Sequence, residues 1–528
     1  MKPKRHGHKD YFINLIFPAF VFGAITGVLT AVTVAGYKWC AGQVIGLSQR
    51  GYEWLQEHWY AIPIALGLLL GAALLIAYLH RKLPNIRGGG IPTAIGMLRG
   101  QIPFRGLRNF IGIILMSLGT FLIGVPLDYE APSVLIGTLI GHGGIFTLAK
   151  KHRAWNRYSM TGGACAGFSS ATGAPITGIM FAVEEAHKNV SPMIIMVAAT
   201  SVMFANMVSG ILSPVLGVSE KLFPAFDIPS LRVEEYWVAF VIGIVVGLFA
   251  AGALRYYHAI SRLFTTTLAK IPLFVKIFAV FAITLILGVC SRSFISNGHA
   301  VIEGLFHHSP AIWMLALWLI LRLTNTFAAN HNGITGGLTL PTMALGAILG
   351  SIVGKIGVVC GLDERYLGVM IVLGMTACIA GMMKVPITAI VFSIEVLSCS
   401  DNILPVIIAA AISFIITEVF HGHSINHSVM ENRIEELREG KTATVVDMRV
   451  TVQPSAFAIG KQVRDIFWPS DLFVLSIRHC EETCERVDGH GEKVIRAGDI
   501  LHVHYSTYDD EITKDELYAI VGEQPVST

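Results

Sequence analysis

Ala174–Glu185 reads APITGIMFAVEE, and Val385–Val396 reads VPITAIVFSIEV, 211 residues later. A second pair precedes it: Pro132–Gly141 is PSVLIGTLIG and Pro341–Gly350 is PTMALGAILG, 209 residues apart. Two pairs in one order at nearly one offset make the chain a duplication. Its halves cover about 11–218 and 236–430, and the polar, proline-containing stretch Ser219–Glu235 divides them. Each quoted segment has proline at its first or second position, which suits the first turn of a helix because its missing N–H costs nothing there. Short proline-started helices in an apolar chain predict broken helices that end inside a bilayer, with the functional site near the repeat interface.

The composition fixes the solvent. Of 528 residues, 53% are hydrophobic and 14% charged, and the mean hydropathy is +0.62. That is too little charge to cover a water-soluble surface of this size. A net charge of +3 gives no reason to expect nucleic acid as a partner. Apolar stretches recur at about 11–37, 61–80, 107–125, 192–215, 236–256, 272–291, 310–325, 366–380 and 402–420, each able to cross a bilayer. The expected fold is therefore an all-α polytopic membrane protein over 11–430. The basic segment 1–10 (Lys2, Lys4, Arg5, Lys9) precedes a run too long for a cleavable signal, which places the N-terminus in the cytoplasm. The charge-dense linker 431–442 places the chain's other end there too. Residues 443–528 then alternate apolar and polar, clearest at Leu472–Ile477 and Ile500–Tyr505, and read as a small soluble α/β domain.

Six cysteines (Cys40, Cys165, Cys290, Cys360, Cys378, Cys399) are scattered through apolar segments as ordinary single thiols. His479, Cys480, Cys484 and His490 have no metal-ligand spacing worth the name and read as a polar loop, so no metal is expected.

Three glycine-containing loops precede candidate half-helices: Gly88-Gly89-Gly90-Ile91-Pro92, then Gly124–Pro132 (GVPLDYEAP), then Gly336–Pro341 (GGLTLP). A helix N-terminus offers free N–H groups and a partial positive charge, hence a site for an anion built without lysine or arginine. Such a neutral donor site holds an anion loosely enough to release it. Glu130, an acid inside an apolar stretch, is expensive there and marks function. Glu184 has a repeat counterpart in Glu395, which argues for a structural role. Glu185 is matched by Val396 and is the asymmetric one.

These loops, in this order, resemble those of the CLC family of chloride channels and proton-coupled chloride antiporters, which carry GSGIP-like, GREGP-like and GxFxP-like loops. EAPSVLIG is similar to the family's EGPxVxIG, and the resemblance spans about 15–430. It implies a homodimeric transporter, not an enzyme, with one anion path per subunit. It implies that Glu130 is the gating glutamate and Glu185 the internal proton-transfer acid. The anion would meet Gly89, Gly90, Ile91, Leu338 and Thr339, chiefly through backbone amides. Asn426, in Ser424-Ile425-Asn426, takes the place of the family's coordinating tyrosine, with His427 one residue further on. Gly89 replaces the coordinating serine, Asp128 and Tyr129 replace the glycine and arginine before the gating acid, and Thr339 replaces a phenylalanine. An added acid such as Asp128 is unfavourable beside an anion unless protonated or paired.

The tail resembles the TrkA-C (RCK-C) module through Ile459-Gly460-Lys461 with Val463 and Ile466, Val474–Arg478, and Arg496–Leu501. The resemblance implies a dimerising regulatory domain. Its ligand could be a cyclic dinucleotide, with Arg478 and His479 as polar candidates; no other cofactor is expected. The leading expectation is exchange of chloride or a related anion for protons. The alternatives are a passive anion channel, a membrane sensor that transports nothing, and potassium transport, against which the lack of a TVGYG-like filter argues.

Overall fold

The computed structural model describes residues 16–88, 90–103, 106–148, 150–226, 228–420, 422–479, 484–486 and 491–523. The basic segment 1–10 lies outside them, as do Gly89, Cys480 and His490. Helices α1 (Phe17–Glu57), α2 (Ile62–Lys82), α3 (Ile91–Leu98), α4 (Gly106–Ile123), α5 (Glu130–Leu148), α6 (Asn156–Thr172), α7 (Pro175–Phe181) and α8 (Pro192–Leu216) form the first half. The second half holds α9 (Trp237–Thr265), α10 (Leu273–Cys290), α11 (His299–His307), α12 (Ile312–His331), α13 (Thr339–Val359), α14 (Leu367–Met382), α15 (Pro386–Val396), α16 (Ile403–Val419) and α17 (Ile425–Arg438). Among the described residues, 10 helical stretches are long and apolar enough to cross a membrane. Leu68 on α2, Val215 on α8 and Trp313 on α12 are each at least 70% exposed, an apolar outer surface that suits lipid and not water.

The duplication is visible in the packing. A Cβ at Gly137 on α5 would stand 1.9 Å from the Gly163 carbonyl on α6, and one at Gly163 would stand 2.0 Å from the Gly137 carbonyl. The same crossing recurs between α13 and α14, where a Cβ at Gly346 or Gly374 would come within 2.4 Å of the other's carbonyl. Only glycine lets two backbones approach this closely, the usual basis of tight helix pairing in lipid.

The two halves are inverted relative to each other. After α7 the chain makes a π-helical turn, Ala182–Ala186, and Glu184 on that turn reaches the start of α15. Its carboxylate accepts from Ile387 N (2.9 Å), Thr388 N (2.6 Å) and Thr388 Oγ1 (2.6 Å). Glu395, at the end of α15, accepts from Ile176 N (2.8 Å), Thr177 N (2.8 Å) and Thr177 Oγ1 (2.6 Å) at the start of α7. Each helix end thus caps the other helix's beginning, which requires α7 and α15 to lie antiparallel about a pseudo-two-fold axis. The carboxylates satisfy N–H groups that have no partner within their own helix.

The charged segment after residue 430 begins as the last turns of α17, where Glu431 and Glu436 are exposed and buried Arg433 pairs with Glu436 at 3.1 Å. Beyond it lies a four-stranded antiparallel sheet of β1 (Thr444–Thr451), β2 (Leu472–Arg478), β3 (Cys484–Arg486) and β4 (Ile500–Thr507), in the order β1-β4-β2-β3. Helix α18 (Asp510–Val521) covers one face, burying Val450, Ile477, Leu501, Val503 and Leu517. Phe473 (62% exposed) and Val445 (62%) lie on the other face.

This domain grips the membrane body through the segment around Asp465–Trp468 and through α18. Arg157 Nη1 donates to the Trp468 carbonyl at 2.5 Å and Nη2 pairs with Glu516 at 2.6 Å. Tyr158 Oη donates to the Asp465 carbonyl at 2.5 Å, and Ser191 Oγ to Asp465 Oδ1 at 3.0 Å. The Phe467 ring stacks on His187, with centroids 4.4 Å apart.

Candidate functional site

The loops before α3, α5 and α13 meet. Gly88, at φ 73°, turns in the left-handed region that suits glycine, and its N–H donates to the Gly333 carbonyl at 3.1 Å. Thr335 Oγ1 donates to the Ile86 carbonyl at 2.8 Å, tying the same two loops. Asp128 and Gly337 exchange backbone hydrogen bonds of 3.0 and 2.9 Å, an isolated antiparallel bridge. Ala131 is the common neighbour. A Cβ at Gly90 would stand 1.8 Å from its carbonyl oxygen, and one at Gly337 would stand 2.6 Å from its Cβ. Three helix N-termini therefore meet in one buried region, bringing together N–H groups that have no partner within their own helices. Gly90, Ile91, Leu338 and Thr339 belong to it; nothing structural can be added for Gly89, which lies outside the described residues.

Glu130 opens α5 with no exposed surface. Among the described residues no N–H or hydroxyl donates to either of its carboxyl oxygens, and its carboxyl lies against that of Asp128. Asp128 beside it is equally buried but well supplied: Oδ1 accepts from Ala131 N at 3.3 Å and Oδ2 from Leu340 N at 2.9 Å. The Thr339 N–H also lies against this carboxyl, and the Thr339 hydroxyl is buried without a partner among the described residues. The N–H of Thr339, expected to face an anion, thus faces the protein's own acid.

Lys38 on α1 is a further participant. It is 8% exposed, its Nζ donates to the Glu220 carbonyl at 3.4 Å, and it lies within Coulombic reach of Glu130. Next to it, Tyr37 Oη donates to Ser117 Oγ at 2.7 Å. A cation inside an apolar span is a signal a sequence can show.

Glu185 occupies the π-helical turn and is 9% exposed. Asn426 Nδ2 donates to Glu185 Oε1 at 2.5 Å. The residue aligned with the family's coordinating tyrosine therefore spends a donor on the internal acid, because α17 begins against the end of the α7 turn. The Arg99 guanidinium donates to the carbonyls of Glu185 (3.2 Å) and Ala186 (3.0 Å), fixing that turn. A cavity of about 490 Å³ opens here, lined by Arg99, Glu184, Glu185, Lys188, Lys384 and His427 among others. A separate cavity of about 640 Å³ reaches Gly88 and Gly333 on the other side of α17, with Arg87, Arg433 and Tyr508 in its walls. Tyr508 brings the tail domain into the wall of the second cavity.

In the tail, Arg478 is exposed at the end of β2. His479 is engaged: its Nδ1 meets Asp499 Oδ1 at 2.9 Å, and Asp499 Oδ2 accepts from Arg496 N at 2.7 Å within the turn before β4. That pairing gives His479 a place in holding the turn.

Relatives with known descriptions share this architecture. A protein of Klebsiella pneumoniae described as the H(+)/Cl(-) exchange transporter ClcA is 24% identical over 435 residues, covering 80% of this chain and 89% of its own length. The protein of the same description from Citrobacter koseri is 26% identical over 430 residues, 79% of this chain and 88% of its own. Among solved structures, a slow cyanobacterial Cl-/H+ antiporter superposes with a TM-score of 0.69 at 20% identity, covering 80% of this chain and 99% of that one. A CLC-type fluoride/proton antiporter superposes with a TM-score of 0.65 at 16% identity, over 80% of this chain and 99% of its own. The sequence profile of the voltage gated chloride channel family matches residues 72–418, from α2 through both sets of helix ends to α16. The chain is thus a polytopic membrane protein that belongs to the voltage-gated chloride channel, or CLC, family.

Proposed function

We propose that this protein exchanges chloride or a related small anion for protons, as a homodimer with one path per subunit and both termini in the cytoplasm. The observation that carries this reading is Glu130, buried with no N–H donor of its own among the described residues where the loops before three helices converge. An ionised carboxyl and a small anion want the same N–H donors, so only one can hold them at a time. Protonation removes the carboxyl's claim, and proton binding is thereby linked to anion release. Glu185 and Asn426 border one cavity, and a second, separate cavity reaches Gly88, so two openings approach this region. The relatives described as Cl-/H+ exchangers support the same reading.

The test is flux from liposomes holding purified protein, reading anion and proton together, with chloride, bromide, nitrate and fluoride in turn. Uphill proton movement driven by an anion gradient is expected. A voltage that settles at the anion equilibrium potential, with no proton movement, would instead make the protein a passive channel.

Regulation by the tail follows from its grip. Phe467 stacks on His187, which leaves the π-helical turn carrying Glu185, and His187 Nε2 is 2.8 Å from Thr161 Oγ1. A ligand reaching the exposed Arg478, an anionic nucleotide for example, could act by shifting this contact. The uncovered sheet face bearing Phe473 and Val445 suits a second copy of the domain. Phe467→Ala is expected to slow exchange about twofold to fivefold, with an unchanged anion-to-proton ratio, since a stacked aromatic pair contributes about 1 kcal/mol. An exchange rate equal to wild type would remove the tail from control of transport.

A further inference from the structure

Asp128 is held by helix ends. Its Oδ1 accepts from Ala131 N on α5 (3.3 Å) and its Oδ2 from Leu340 N on α13 (2.9 Å), with the Thr339 N–H alongside. Gly337 makes the room: a Cβ there would fall 1.8 Å from Asp128 Oδ1. Capping of its own helix explains the contact with Ala131, three residues on. It does not explain the contact with Leu340, which lies 212 positions away on a different helix. A carboxylate resting on backbone N–H groups of two helix N-termini is chemically what a free anion on those donors would be.

We propose that Asp128 is a tethered anion, whose carboxylate occupies the donors between α5 and α13 and competes with the transported anion for them. The proposal rests on the reading above, that small anions cross at these helix ends. It also accounts for Glu130. Two buried carboxyls stand at one donor set; Asp128 holds the N–H donors, and Glu130 lies against the Asp128 carboxyl with no N–H donor among the described residues. Asp128 therefore sets the concentration of anion needed for transport, while Glu130 carries the proton. The sequence position two residues before the gating acid becomes a determinant of anion affinity.

The experiment measures chloride flux against chloride concentration for Asp128→Asn and Asp128→Gly, each in a Glu130→Gln background so that no second carboxyl can move onto the vacated donors. The expected result is a KM for chloride lowered at least about fivefold by Asp128→Gly, and less by Asp128→Asn, without a fall in kcat, because charge-assisted donors are being returned to the substrate. Asp128→Asn keeps the side chain's shape and decides the matter if Asp128→Gly does not fold. An unchanged KM in both variants, with only a lowered unfolding temperature, would overturn the proposal and leave Asp128 as a cap. Wild-type protein that moves no anion at all would overturn the transport reading first, an outcome distinguishable from an unchanged KM.

Discussion

Glutamine in place of Glu130 is expected to abolish proton movement and leave anion movement in place. In liposomes, proton flux driven by an anion gradient should fall to the level of protein-free vesicles, while anion efflux continues and no longer responds to pH. The substitution keeps nearly the same volume, so the close approach of Gly90 and Gly337 to Ala131 is preserved and α5 starts where it did. What changes is the chemistry. An amide neither carries a proton between two sides nor bears the charge that competes for helix-end N–H groups. The large size of the expected effect follows from burial: Glu130 has no exposed surface, so a proton held at this point needs a titrating side chain to hold it. Proton flux within twofold of wild type would place the proton path elsewhere and detach Glu130 from the gate.

The architecture was legible because it repeats. Proline at the start of α7 and α15, glycines spaced for the α5–α6 and α13–α14 crossings, and a shared offset between the halves are all local signals. The asymmetry between Glu184 and Glu185 was legible on the same ground, since a residue kept in both halves answers to the pseudo-symmetry and one kept in a single half does not. Strands β2 and β4 were readable from alternation. What the sequence hid are contacts between distant positions. Asp128 reads as a bare acid near an anion path until Leu340 is seen to donate to it. Asn426 reads as an anion ligand until α17 is seen to start against Glu185. The tail's hold on the membrane body depends on Phe467 meeting His187, and neither residue carries a motif.

Glu184 and Glu185 are neighbours in sequence, and their replacement by glutamine is expected to fail in opposite ways. Glu184 accepts two backbone N–H groups and one hydroxyl at the start of α15. Glutamine offers one accepting oxygen, and its NH₂ group would face a backbone donor, leaving that donor unsatisfied. Two charge-assisted bonds are weakened in a partly enclosed place, a loss of about 2 kcal/mol or more. Glu184→Gln should therefore lower the unfolding temperature of the detergent-solubilised protein while the surviving molecules keep their anion-to-proton ratio. Glu395→Gln should do the same to a similar extent, because it holds the start of α7 by the same three bonds. Glu185 makes no such cap. Its recorded side-chain bond is the one from Asn426, which a glutamine oxygen accepts as well. Glu185→Gln should leave the unfolding temperature near wild type and cut proton flux, since the turn beside the 490 Å³ cavity loses its titrating group. Matching stability losses at 184 and 395, with none at 185, would tie the first pair to the inverted repeat and the third acid to transport. A proton flux untouched in Glu185→Gln would assign that acid to the cavity wall alone, and protons would have to reach Glu130 by another route.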